Sequence, residues 1–157
     1  VQFTSTFEPV VCGGTRSTDY PALGTSYQFV FGGVVDAFVT RFPNAGGTPL
    51  ASTYYGSPAY DQSYFVQLDD ADNIYLFGQT EGDLPLSGTV YSASPNAGQF
   101  IACFDPNLQN LLWNTRVGNP NNQFEIDISP TAFLVSDCGQ IYMSGWGGGT
   151  NSGNSPF

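Results

Sequence analysis

The chain has 157 residues and is 41% hydrophobic, enough for the core of one ordinary domain; its 19 glycines and 11 prolines break it too often for long helices. Thirteen acidic residues stand against three arginines, with no lysine and no histidine, giving a net charge of −10. That balance makes nucleic acid and anionic membrane surfaces poor partners, and it removes Ser-His-Asp and Cys-His catalysis, lysine Schiff bases, the P-loop lysine and His-ligated metal centres.

The first residues, Val1 to Glu8, alternate apolar and polar and read as the end of a preceding repeat. A first repeat then runs from Pro9 to Asn73. It holds strands at Val10–Thr15, Asp36–Phe42, Pro49–Tyr55 and Tyr64–Leu68, with a turn at PNAGG. A second repeat, Ile74 to Gln140, copies the order, and residues 141–157 begin a third unit. Val10 to Tyr27 laid over Ile74 to Tyr91 matches Gly13 with Gly78, Thr15 with Thr80, Asp19 with Asp83 and Pro21 with Pro85. DAFVTRF at Asp36–Phe42 matches GQFIACF at Gly98–Phe104, and LASTYYG matches LLWNTRVG, with Tyr54 over Arg116 and Tyr55 over Val117. IYLFGQ at Ile74 returns as IYMSGW at Ile141.

Four short strands per unit of about 65 residues, recurring in one order, predict an all-β chain forming part of a β-propeller of four-stranded antiparallel blades. Two blades and the start of a third do not close a ring that typically needs about four to eight. The segment therefore reads as cut from something longer, with open strand edges expected at Val10 and Ile141. No run of about 18 apolar residues could span a bilayer.

The motifs DAFVTRF (Asp36–Phe42), STYYG (Ser52–Gly56), DADNIYLFGQT (Asp70–Thr80) and DLP (Asp83–Pro85) resemble the bacterial β-propeller repeat known as the SBBP repeat. Gly98 departs from its leading Asp, and Asn114–Gly118 departs from its S-T-Y-x-G. Together with SDCGQIYMSGWGG, Ser136 to Gly148, the chain is similar to very large secreted proteins of gliding bacteria. The resemblance implies export by the type IX system, an extracellular or cell-surface location, and a role in gliding motility or adhesion. The implied partners are further blades of the same protein and other secretion or surface proteins. No catalysis is expected.

Among candidate chemical residues, Glu125 and Asp127 share one face of a strand, as two glycosidase carboxyls would, but a solvated strand face gives the same pattern. Asp69, Asp70 and Asp72 could hold Ca²⁺; a tight turn between one blade and the next, capped by its own Asp and Asn, is the preferred reading. Tyr54, Tyr60, Tyr64 and Trp146, beside polar loops, are candidates for stacking on a polysaccharide, against the alternative that tyrosines pack between blades. Cys12 and Cys103 read as buried small hydrophobes; in an oxidising compartment Cys103 with Cys138 is the disulfide to test. No cofactor is expected.

Overall fold

The protein is described by a computed structural model covering residues 1–88, 96–119 and 128–147. All regular structure among these residues is β: β1 (Gln2–Phe3), β2 (Pro9–Thr15), β3 (Asp36–Arg41), β4 (Ala51–Tyr55), β5 (Asp61–Leu68), β6 (Ile74–Thr80), β7 (Gln99–Phe104), β8 (Leu111–Val117), β9 (Ser129–Val135) and β10 (Ile141–Trp146). They form two four-stranded antiparallel meanders, β1-β2-β3-β4 and β5-β6-β7-β8, and a hairpin, β9-β10. Among the described residues no helix is long and apolar enough to cross a membrane.

Register repeats with sequence. Gly13 faces Phe38 across β2 and β3, as Gly78 faces Phe100 across β6 and β7. The sheets do not start where the sequence repeats start. Leu68 and Ile74 are register partners, so β5, from the end of the first sequence repeat, is the first strand of the second sheet. The turn at Asp69–Asn73 is accordingly a hairpin within a sheet, correcting its reading as a link between blades: five residues between paired strands reverse the chain and cannot carry it across to another sheet.

Alternation along the strands gives the second sheet two apolar faces. Ile74, Leu76, Phe100, Ala102 and Phe104 join Val10, Ala37, Val39 and Tyr55 of the first sheet in one core. Tyr75, Phe77, Ile101 and Cys103 join Ile128, Phe133 and Val135 of the third in another. Every residue of β6 and β7 is buried, which is why IYLF and FIACF are apolar at both odd and even positions. Tyr55 meets Phe100 and Phe104 edge-on at centroid distances of 5.1 and 5.3 Å, and its hydroxyl accepts a 2.9 Å bond from Asn114 Nδ2 across the first sheet junction.

Two further expectations change. Val10 is paired on both sides, with Arg41 and with Gln2, because the short β1 covers that end of β2. Cys103 and Cys138 form no disulfide: all three thiols are free, with Cys103 inside the second core and Cys138 on an exposed turn.

Candidate functional site

The loop after β2 and the start of β5 enclose an open cleft of about 220 Å³ lined by Gly14, Thr15, Arg16, Val35, Tyr60 and Gln62. A parallel bridge between Val35 and Tyr60 fixes one wall, and the Tyr60 hydroxyl donates a 2.6 Å bond to Gln62 Oε1. Tyr64 follows on β5 and bonds to Gln79 Oε1; burial and the neighbouring Tyr60 push its hydroxyl up to about 12. Neither Tyr64 nor Trp146 lines the cleft. Trp146 stands at the end of β10, 68% exposed.

Tyr54 is 1% exposed and has no free ring face. Tyr20 and Phe31 pack on it, and its hydroxyl donates 2.8 Å to Ser17 O. Its counterpart Arg116 does the same work with other chemistry, donating to Gly82 O, Asp83 Oδ1 and Leu84 O at 3.1, 2.7 and 3.2 Å. Both side chains fasten the long loop of their own sheet, so the Tyr-to-Arg exchange between repeats preserves an anchor.

The acidic turn is built from its own hydrogen bonds. Asp69 accepts from the Ala71 and Asn73 amides, from Asn73 Nδ2 and from the Tyr75 hydroxyl, at 2.9 to 3.0 Å. Burial alone would raise the Asp69 pKa, but these bonds outweigh it and hold the carboxyl below the usual value. Asp72 binds the Ser5 amide and hydroxyl at 2.8 and 2.6 Å, and the Asp70 amide reaches Asp137 O at 3.4 Å. Among the described residues no three acidic or thiol side chains come together as a metal centre. Glu125 and Asp127 lie outside the described residues.

Cys12 and Cys103 are unreactive by position. Burial pushes Cys12 up, and burial pushes Cys103 up to about 12, so neither is a thiolate at neutral pH.

The carboxylates that the structure does bring together are Asp36, opening β3, and Asp61, opening β5, both 0% exposed. Asp36 Oδ2 accepts from Gln28 Nε2 at 2.9 Å and the Gly32 amide at 2.8 Å. Asp61 Oδ2 accepts from the Ser57 amide at 2.6 Å and the Ser57 hydroxyl at 2.8 Å. Oδ1 of each carboxylate is buried without a hydrogen-bond partner, although the Gly33 amide approaches Asp36 without reaching full hydrogen-bond geometry. A methyl group at Gly56 would stand 2.9 Å from Asp36 Oδ1 and 3.0 Å from Asp61 Oδ2, so the two carboxylates flank one point. Burial raises the Asp36 pKa first, and the charge of Asp61 raises it further.

No protein-family model matches the chain, and no curated protein does. The chemistry of the pair therefore rests on its own geometry. Sequence reasoning passed over these two residues because Asp36 served as the head of a strand motif and Asp61 belongs to no motif. Strand register supplies the missing signal: Asp36 corresponds to Gly98 and Asp61 to Ile128, so the second copy loses both acids together.

Proposed function

We propose that the chain is a run of consecutive blades of a β-propeller, serving as a non-catalytic structural and interaction module of a large secreted or cell-surface protein. Further blades of the same protein, and surface or secretion proteins, are its partners; the likeness to SBBP repeats and to type IX cargo favours an extracellular place in gliding motility or adhesion. What carries the propeller reading is a turn repeated three times. In Thr4–Glu8, Asp69–Asn73 and Ser136–Gln140 the first side-chain oxygen accepts the fifth residue's amide at 3.0, 2.9 and 3.0 Å. The first carbonyl accepts the fourth amide at 2.9, 2.9 and 2.8 Å. Each turn touches the next, through Ser5 to Asp72 and Asp70 to Asp137, and β5 lies against both β1 and β9. Three equivalent units set side by side in chain order are what rotation about a propeller axis produces.

The interaction surface in this reading is the far side of β9–β10, where Leu134 and Tyr142 are exposed. Tyr142 is the counterpart of Tyr75, which is buried between the second and third sheets. In the intact native protein, Leu134→Glu with Tyr142→Glu should cost about 2–4 kcal/mol, as for a covered core site, read by chemical denaturation. A change within about 0.5 kcal/mol, the range for bare surface, contradicts the reading.

The cleft beside Arg16 and Tyr60 favours a second reading, a carbohydrate-binding propeller acting on extracellular polysaccharide, since an aromatic ring, an amide and a guanidinium line it. Binding on a glycan array that disappears in Tyr60→Ala and Arg16→Ala supports it; a blank array removes it.

A further inference from the structure

We propose that Asp36 and Asp61 hold a divalent calcium ion that staples the first sheet to the second. The inference does not depend on the propeller reading. It starts from two buried carboxylate oxygens that the fold leaves without partners. Each Oδ2 accepts two hydrogen bonds. Each Oδ1 is buried without a partner. Two buried carboxylates that flank one point can ionise together only beside a counter-charge. Among the described residues no ion pair reaches either carboxylate: the chain has no lysine or histidine, Arg41 pairs with Glu8, Arg116 pairs with Asp83, and Arg16 lines the neighbouring cleft.

The surroundings are those a hard cation takes. A methyl group at Gly33 would stand 2.4 Å from Ser57 O, 2.4 Å from Ala59 O and 3.1 Å from Asp36 Oδ1. Two main-chain carbonyls therefore crowd the same corner as the carboxylates, and calcium binds through carboxylate and carbonyl oxygens with water completing the shell. Gly33 and Gly56 keep the corner free of side-chain carbon. At the junction of the second and third sheets, where Gly98 and Ile128 replace the two acids, a neutral bridge stands instead: Gln99 Nε2 donates to Ile128 O at 3.0 Å, and the Ile128 amide donates to Gln99 Oε1 at 3.4 Å. One junction is closed by amide hydrogen bonds, and the other holds the carboxylate pair. With only two charged ligands, affinity should fall in the range of extracellular calcium modules, a Kd of about 10⁻⁴ to 10⁻³ M.

The test is calcium chloride titrated into the chelator-stripped intact protein, followed by calorimetry and thermal melting, for the wild type, Asp36→Asn, Asp61→Asn and the double variant. Wild type should show a saturable rise in Tm and measurable heat of binding, and each single variant should bind at least about tenfold more weakly. The double variant should melt higher than the stripped wild type, because it no longer buries two carboxylates beside one point. The proposal is overturned if wild type neither binds nor gains stability, or if calcium stabilises the double variant equally. Should the variants fail to fold, terbium luminescence sensitised by nearby tyrosine and displaced by calcium supports the site in the wild type alone, and its absence overturns it.

Discussion

At the scale of single residues, the hairpin turns show how little identity a repeated geometry needs. The fourth turn position lies in the left-handed region in all three copies, at φ 64° in Phe7, 58° in Asp72 and 76° in Gly139. For Phe and Asp that conformation costs about 1–2 kcal/mol, offset by the first-position oxygen, which Thr4, Asp69 and Ser136 each provide. Asp69→Ala removes four bonds and should destabilise the protein by about 1–2 kcal/mol at neutral pH in urea denaturation. Because folding depresses the Asp69 pKa, its contribution is fully present above the ordinary carboxylate value and lost as pH falls through the folded one. The gap between wild type and Asp69→Ala should therefore narrow below about pH 4; a gap independent of pH contradicts the account. The density of Asp and Asn made this turn visible in sequence. Its first copy was invisible, because TSTFE and DDADN share only the chemistry of an acceptor at one position.

At the scale of strands, the recurring glycine has a steric reason. Gly78 lies opposite a bulge in β5 between Ser63 and Phe65, and a methyl group there would stand 2.1 Å from Gln62 O and 2.7 Å from the Phe100 ring. Gly145 repeats this against Ser129 O at 2.8 Å, beside the corresponding irregularity of β9. Gly78→Ala should cost about 1–3 kcal/mol, since backbone on two strands must move, whereas Gly24→Ala, with nothing within 4 Å, should be close to neutral. Equal effects in thermal melts would show that close approach is not what fixes the glycine. Strand positions were legible because apolar alternation and turn residues are local. Sheet membership was not, since the partner of β5 is set by a hairpin that sequence periodicity does not mark. The Asp36–Asp61 pair escaped for the same reason: its members are 25 positions apart and meet only once β3 and β5 are placed in neighbouring sheets.

At the scale of the molecule, the second sheet is packed on both faces, while its neighbours differ in how they treat their outer ones. The first sheet covers its own outer face with a loop, the Tyr20 ring packing at a tilt on Phe38 and Tyr54 at centroid distances of 4.7 and 5.4 Å. The third leaves Leu134, Tyr142 and Trp146 in solvent, and among the described residues β10 pairs only with β9. An unpaired strand edge beside an apolar face invites association, so a continuing array of sheets is the arrangement that best accounts for it. The intact mass of the native polypeptide, with its terminal sequences, tests this most directly. The account predicts a mass well above 16.8 kDa, with further units of about 65 residues after the β9–β10 hairpin. A native polypeptide of 16.8 kDa that remains a monomer in solution would contradict it.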